Sequence, residues 1–133
     1  GVGPEGANVS LADLRGRTVV LNLWASWCGP CRDEAPILER ISQKYRDRDV
    51  VVLGVNVRDS SRDARAFIAD LKTTFPSVRD GSDGTKSAYE TRALPETFII
   101  DPDGQIRSRP IRGELTPALE RRITEYLDQV SGP

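Results

Sequence analysis

The 133-residue chain contains no histidine, no methionine and only two cysteines. Without histidine there is no Ser-His-Asp triad, no HExxH zinc site and no Cys-His thiol protease. Two thiols without an imidazole also fall short of the usual structural zinc sets and of a four-cysteine iron–sulfur site. Neither a metal nor a cofactor is therefore expected. Basic and acidic residues balance at 19 against 20, with no long run of either sign, which disfavours a nucleic-acid platform. No stretch approaches the roughly 18 consecutive apolar residues of a membrane span, and the opening Gly-Val-Gly-Pro-Glu-Gly lacks the charged and apolar regions of a signal peptide. With no methionine in the chain, Gly1 is not a translation start. A cloning boundary or a removed targeting or anchoring segment precedes it, and the expectation is a soluble domain of an exported or membrane-anchored bacterial precursor. Chemistry is left to carboxylates, hydroxyls, amines and one pair of thiols.

An apolar share of 38% is ordinary for a globular chain. At this length about two-thirds of the unfolded surface is buried on folding, enough for one core without a staple. A single domain over residues 1–133 is expected, with residues 1–8 as a loose lead-in. Ser10 and Asp13 form a capping-box-like start to a short helical turn. Residues 18–25 (TVVLNLWA) are β-branched and apolar, a strand covered on both faces. A helix is predicted over 29–45, with Pro30 at its first position, Ile37, Leu38, Ile41 and Tyr45 on one stripe, and Pro36 inside it as a kink. Residues 49–57 form a second buried strand, and Ser60 caps a helix carrying Ala64, Phe67, Ile68 and Leu71.

Residues 75–92 are less regular: a short extended PSV, turns at Asp80-Gly81 and Asp83-Gly84, then a short helix through Ala88. Residues 97–101 and 105–111, either side of Pro102-Asp103-Gly104, read as a hairpin. A last helix begins at Thr116 and Pro117, with Leu119, Ile123, Leu127 and Val130 facing inward. The order implies an α/β fold with a mixed sheet. Charged stretches such as residues 58–63 read as solvated faces and helix pairs.

Trp27-Cys28-Gly29-Pro30-Cys31 carries the chemistry, where the first strand hands over to the helix. Unpaired backbone N–H groups and the helix dipole stabilise a thiolate there, making Cys28 a nucleophile near neutral pH. Cys31, one turn further in, is placed to close the disulfide and release a substrate caught on Cys28. A structural disulfide is the competing reading, but a three-residue offset closes too small a loop for much stabilisation.

At these residues the chain resembles the thioredoxin superfamily. Trp24-Ala25-Ser26-Trp27-Cys28-Gly29-Pro30-Cys31 is similar to its active-site signature, Pro36 to its helix-kinking proline, and Leu94-Pro95-Glu96-Thr97-Phe98 to its cis-proline loop. The resemblance runs over residues 9–130. It implies a thioredoxin fold, a central mixed β-sheet of four to five strands flanked by helices, with cis Pro95 beside the two sulfurs. Trp27, Gly29, Pro30, Leu94, Pro95 and Glu96 would then line the substrate groove, where an extended peptide adds as a strand.

Two departures separate the chain from cytosolic thioredoxin. Asn22 stands where thioredoxin has a buried aspartate, and residues 75–92 form an insert before the cis-proline loop. Both resemble the exported, membrane-tethered reductases of the TlpA/ResA/CcmG group, as do the runs Cys31-Arg32-Asp33-Glu34-Ala35-Pro36 and Pro95-Glu96-Thr97-Phe98-Ile99-Ile100-Asp101. The acidic residues of that group map onto Glu34 and Glu96. A carboxylate near the thiols can take or give their proton, replacing the function lost at Asn22. The plain alternatives are a first-turn glutamate facing the helix dipole for Glu34 and a solvated loop charge for Glu96.

The Gly-Pro dipeptide between the cysteines, with no histidine to favour the reduced form, argues for a reductant. The resemblance implies an extracytoplasmic thiol:disulfide oxidoreductase, most simply a monomer, re-reduced by a membrane electron donor of the CcdA/DsbD kind. Its implied substrate is the CxxCH disulfide of apocytochrome c, or a partner that delivers it. Glu90 and Ala93 replace glycines of the CcmG pattern, so a general TlpA-type reductase is the runner-up. A peroxidase or a non-catalytic binding module fits the two-thiol motif less well.

Overall fold

The structure, a computed structural model, describes residues 14–79, 93–107 and 110–131. The chain runs β1 (Thr18–Trp24), α1 (Gly29–Lys44), β2 (Val50–Asn56), α2 (Ser61–Leu71), β3 (Ser77–Arg79), β4 (Glu96–Ile100), β5 (Ile111–Arg112) and α3 (Pro117–Ser131). The five strands form one sheet in the order β3-β2-β1-β4-β5. β1, β2 and β3 are parallel, whereas β4 runs antiparallel to β1, and β5 to β4. Among the described residues, this mixed sheet with three helices is the thioredoxin fold expected above.

Central β1 is buried at all seven positions, which accounts for an apolar run that after Thr18 is interrupted only at Asn22. On one side Val20, Val52 and Ile99 pack against Leu38 and Ile41 of α1, its C-cap Tyr45, and Ile123 and Leu127 of α3. The opposite residues of the pleat, Leu21, Leu23 and Leu53, cluster with Leu14 and Val57. Fully burying such a side chain is worth about 1.5–3 kcal/mol, so the sheet is anchored from both faces. A third cluster, at the C-terminal end of β1, joins Trp24 and both cysteines to Ala64, Phe67 and Ile68 of α2.

The helix caps follow the sequence. Ser60 accepts from the Asp63 N–H at 3.1 Å, and Thr116 accepts from the Leu119 N–H at 3.2 Å. Pro36 lies inside α1. Gly29 takes the first helical position, so Pro30 is the second residue of α1 rather than the first.

Two further expectations are corrected. The strand predicted over 105–111 reduces to an isolated bridge between Ile106 and Ile100 and the two-residue β5. Asp101 explains the start of this break: its Oδ1 accepts from the N–H groups of Asp103 (3.0 Å) and Gln105 (2.9 Å), so the turn is closed by a side chain. Gly104 supplies the positive φ of +87° that the turn needs. Pro110 then offers no N–H to a ladder. Val130, expected to face inward, is 47% exposed in the last turn of α3, where the buried stripe has ended at Leu127. The predicted turn around Ser10, the turns at 80–84 and the short helix through Ala88 lie outside the described residues.

Candidate active site

Cys28 is the N-cap of α1, with extended backbone (φ −91°, ψ 108°), and its Sγ accepts from the Cys31 N–H at 3.2 Å. The sulfur therefore sits on the unpaired donors of the helix start, the arrangement that stabilises a thiolate. Cys28 and Cys31 are joined as a disulfide with their Cα atoms 5.3 Å apart. Both are buried, Cys31 (2%) more than Cys28 (5%). Trp27 beside them is 59% exposed, and Gly29 and Pro30 are also at the surface.

The Leu94–Pro95 peptide is cis. Leu94 is half-buried against the cluster that contains both cysteines, while Pro95 is buried and its carbonyl accepts from the Gly113 N–H at 2.9 Å. The fold thus brings the residues on either side of a 60-residue gap in sequence to one end of the sheet.

Glu34 is fully buried, one turn along α1 from Cys31. Its Oε1 accepts from Asn22 Nδ2 at 2.7 Å and its Oε2 from the Leu115 N–H at 2.8 Å. Burial pushes its carboxyl up to about 7, against the two hydrogen bonds that favour the charged form, with the nearby Glu114 adding to the rise. A group titrating there can exchange a proton at neutral pH, which a first-turn glutamate facing solvent would not do. Asn22 also donates to Thr97 Oγ1 at 3.2 Å, and it lines a small interior cavity together with Trp24, Cys31, Thr73 and Ser77. Asn22, the partner of Glu34, and Cys31 therefore border one space.

Glu96 is not the solvated loop charge of the plain alternative: it begins β4 and is 2% exposed. Its Oε2 lies 3.4 Å from Arg112 Nε. Thr97 shares the Asn22 side of the sheet, so the pleat directs Glu96 to the opposite face from Glu34. The two carboxylates do not converge on one point.

Asp59, expected on a solvated face, is instead half-buried and fully engaged. Its Oδ2 accepts from the Ser26 N–H (2.6 Å) and from Asn56 Nδ2 (3.0 Å), and its Oδ1 from Ser26 Oγ (2.8 Å) and the Ser60 N–H (2.9 Å). These donors hold its carboxyl below the usual range despite partial burial. A signal was available: an acid just past the C-terminal end of a parallel strand stands where the loops of an α/β sheet gather into sites. Among the described residues, no group of three or more metal-ligating acids, cysteines or histidines comes together.

A family model described as AhpC/TSA matches residues 3–109. The chain belongs to the AhpC/TSA family. Within this family, the thiol-disulfide oxidoreductase ResA of Geobacillus thermodenitrificans is 34% identical over 126 residues, covering 95% of this chain and 70% of ResA. ResA of Bacillus subtilis is 31% identical over 126 residues, 95% of this chain and 68% of that protein. Among solved structures, a Chlorobium tepidum protein assigned as thiol:disulfide interchange protein DsbE superposes with a TM-score of 0.83 at 31% identity, over 98% of this chain and 90% of that one. StoA of Bacillus subtilis superposes with a TM-score of 0.75 at 25% identity, covering 94% and 92%. With the Cys28–Cys31 pair in place, this family member is a thiol-disulfide oxidoreductase of the ResA/DsbE type. Among the described residues, no helix is long and apolar enough to cross a membrane.

Proposed function

We propose that the protein is an extracytoplasmic reductant that keeps the CxxCH thiols of apocytochrome c reduced for haem attachment. The observation that carries the reading is the pairing of a capping Cys28 with a buried Glu34, its carboxyl pushed up to about 7, one turn along α1 from Cys31. The thiolate of Cys28 attacks one sulfur of the substrate disulfide, forming a mixed disulfide and releasing the other substrate sulfur as a thiolate. Cys31, giving its proton to the Glu34 carboxylate, attacks Cys28, so that the substrate leaves as a dithiol and this protein holds the disulfide. Two electrons have moved to the substrate, and a membrane donor of the CcdA/DsbD kind returns them. The exposed Trp27 and the Leu94–Pro95 loop flank the sulfurs as the docking edge for an extended peptide. Support for the location comes from similarity to a structure described as a secreted Mycobacterium tuberculosis disulfide oxidoreductase, at 25% identity and a TM-score of 0.72 over 91% of this chain and 90% of that one.

The test is reduction of an oxidised CxxCH peptide by the dithiol form. Activity is expected in the wild type and none in Cys28→Ser. In cells, Cys31→Ser should hold its substrate through Cys28 as a mixed disulfide. Capture of apocytochrome c, or of a protein that delivers electrons to it, supports the proposal. Capture of unrelated exported proteins only would replace it with a general TlpA-type reductase.

A further inference from the structure

The four bonds accepted by Asp59 tie three segments together. Two go to Ser26, in the loop between β1 and α1 and two residues ahead of Cys28, and the others go to the end of β2 and the cap of α2. The preceding residue reinforces the link. Arg58 has left-handed backbone (φ +50°), and its carbonyl accepts from Trp27 Nε1 at 2.9 Å while its guanidinium lies 5.4 Å from the centre of the Trp27 ring. On the far side, the Asp59 carbonyl accepts from Arg79 Nε and its terminal nitrogen at 3.0 and 2.9 Å, tying the turn to β3. A left-handed backbone at a residue other than glycine costs energy and persists only where its surroundings hold it. Here they fix two consecutive residues, Ser26 and Trp27, that immediately precede the nucleophile in the chain.

We propose that Asp59 is the positioning residue of the dithiol: it pins Ser26 and, through the turn at Arg58, Trp27, so that Cys28 enters α1 at the N-cap. A shift of this loop would carry the sulfur off the helix donors without altering a reacting atom. Asp59 thus acts through Ser26, and its carboxylate takes no part in electron transfer.

Charge and position predict opposite outcomes, which makes the role testable. Removing a negative charge near a thiol favours the thiolate and lowers its apparent pKa. Taking the sulfur off the helix N-terminus removes stabilisation and raises it. The assay is the pH dependence of Cys28 alkylation by iodoacetamide in the Cys31→Ser background, where no disulfide forms. Asp59→Ala is expected to raise the apparent pKa and slow alkylation at pH 7 by about three- to tenfold. Asp59→Asn keeps an acceptor for the Ser26 N–H, and its amide can donate to Ser26 Oγ, so it should recover most of the wild-type profile.

Profiles that stay at the wild-type position in both variants would overturn the proposal. So would a lowered pKa in both, which would make Asp59 an electrostatic brake. Should Asp59→Ala fail to give the wild-type circular dichroism spectrum, Ser26→Ala decides instead, since it deletes one of the four bonds and leaves the backbone one. A smaller rise in the same direction supports the positioning role, and an unmoved profile there refutes it. The assay uses neither cytochrome nor membrane donor, so its failure is separable from failure of the proposed pathway.

Discussion

Asn22 donates its side-chain amide to Glu34 Oε1 at 2.7 Å, across the interface between β1 and α1. The resemblance to cytosolic thioredoxin implies an aspartate at the Asn22 position; here an amide and a carboxylate divide that work. The acid comes from the helix and the strand supplies the donor that orients it.

The raised pKa of Glu34 makes a stability prediction whose sign follows directly. The unfolded carboxyl titrates near 4.5 and the folded one near 7, so the native state holds a proton that the unfolded state has released. That contribution to stability is complete below about pH 4.5 and is lost as the pH rises through about 7. The size is about 3 kcal/mol for a shift of this extent. The chain has no histidine to titrate in the same window. Urea denaturation between pH 5 and 8 should therefore show stability falling with pH in the wild type, and a markedly flatter profile in Glu34→Gln.

Asn22→Leu removes one of the two donors that stabilise the Glu34 carboxylate, and leaves Thr97 Oγ1 without this bond. The loss should cost about 1–3 kcal/mol at pH 7. It should also move the fall in stability to higher pH, because less opposes the desolvation of Glu34. A pH series on this variant beside the wild type measures both effects.

Much of this was legible in the sequence because the signals were local. The largely apolar run through β1, the caps at Ser60 and Thr116, and the Cys28–Cys31 spacing each depend on a few neighbours in the chain. The cis bond before Pro95 was legible only through the resemblance. Glu34 was identified as a candidate, but its full burial depends on Leu115, 81 residues away, whose backbone N–H it accepts. Asp59 was missed for the same reason: in Arg-Asp-Ser-Ser-Arg-Asp it reads as one charge among several, and only the parallel pairing of β1 with β2 sets it beside Ser26. The full strand expected over 105–111 rests on the Pro102-Asp103-Gly104 hairpin signal, which a side-chain-closed turn at Asp101 and a proline at 110 override.

Gly54 is a packing prediction at the edge of the same region. It pairs with Asn22 in β1 and with Ser77 in β3. A Cβ there would lie 2.6 Å from Ser77 Oγ and 2.8 Å from Trp24 Nε1, the two atoms joined by a 2.8 Å hydrogen bond. Gly54→Ala must therefore push them apart, and overpacking of this kind costs about 1–3 kcal/mol. Trp24 stacks at 4.6 Å on Phe67, so its displacement should also change the tryptophan fluorescence of the folded protein. Thermal denaturation followed by fluorescence reads both.

The last prediction separates chemistry from stability at Glu34. Above pH 7 its carboxylate is charged and, one turn from Cys31, it opposes formation of a second negative charge on the dithiol. Below that pH it is a protonated acid and exerts no such effect. In the reduced protein, Glu34→Gln should therefore lower the apparent thiol pKa by about 0.5–1 unit and speed alkylation near pH 8, while leaving the rate well below pH 7 almost unchanged. It should also slow disulfide exchange with a protein substrate at neutral pH, because the resolving thiol has lost its proton acceptor. Faster alkylation combined with slower turnover is a pairing that a purely structural role for Glu34 would not produce. Superimposable alkylation profiles for the wild type and Glu34→Gln would remove the proton-transfer role and leave Glu34 as a buried acid tying α1 to Asn22 and Leu115.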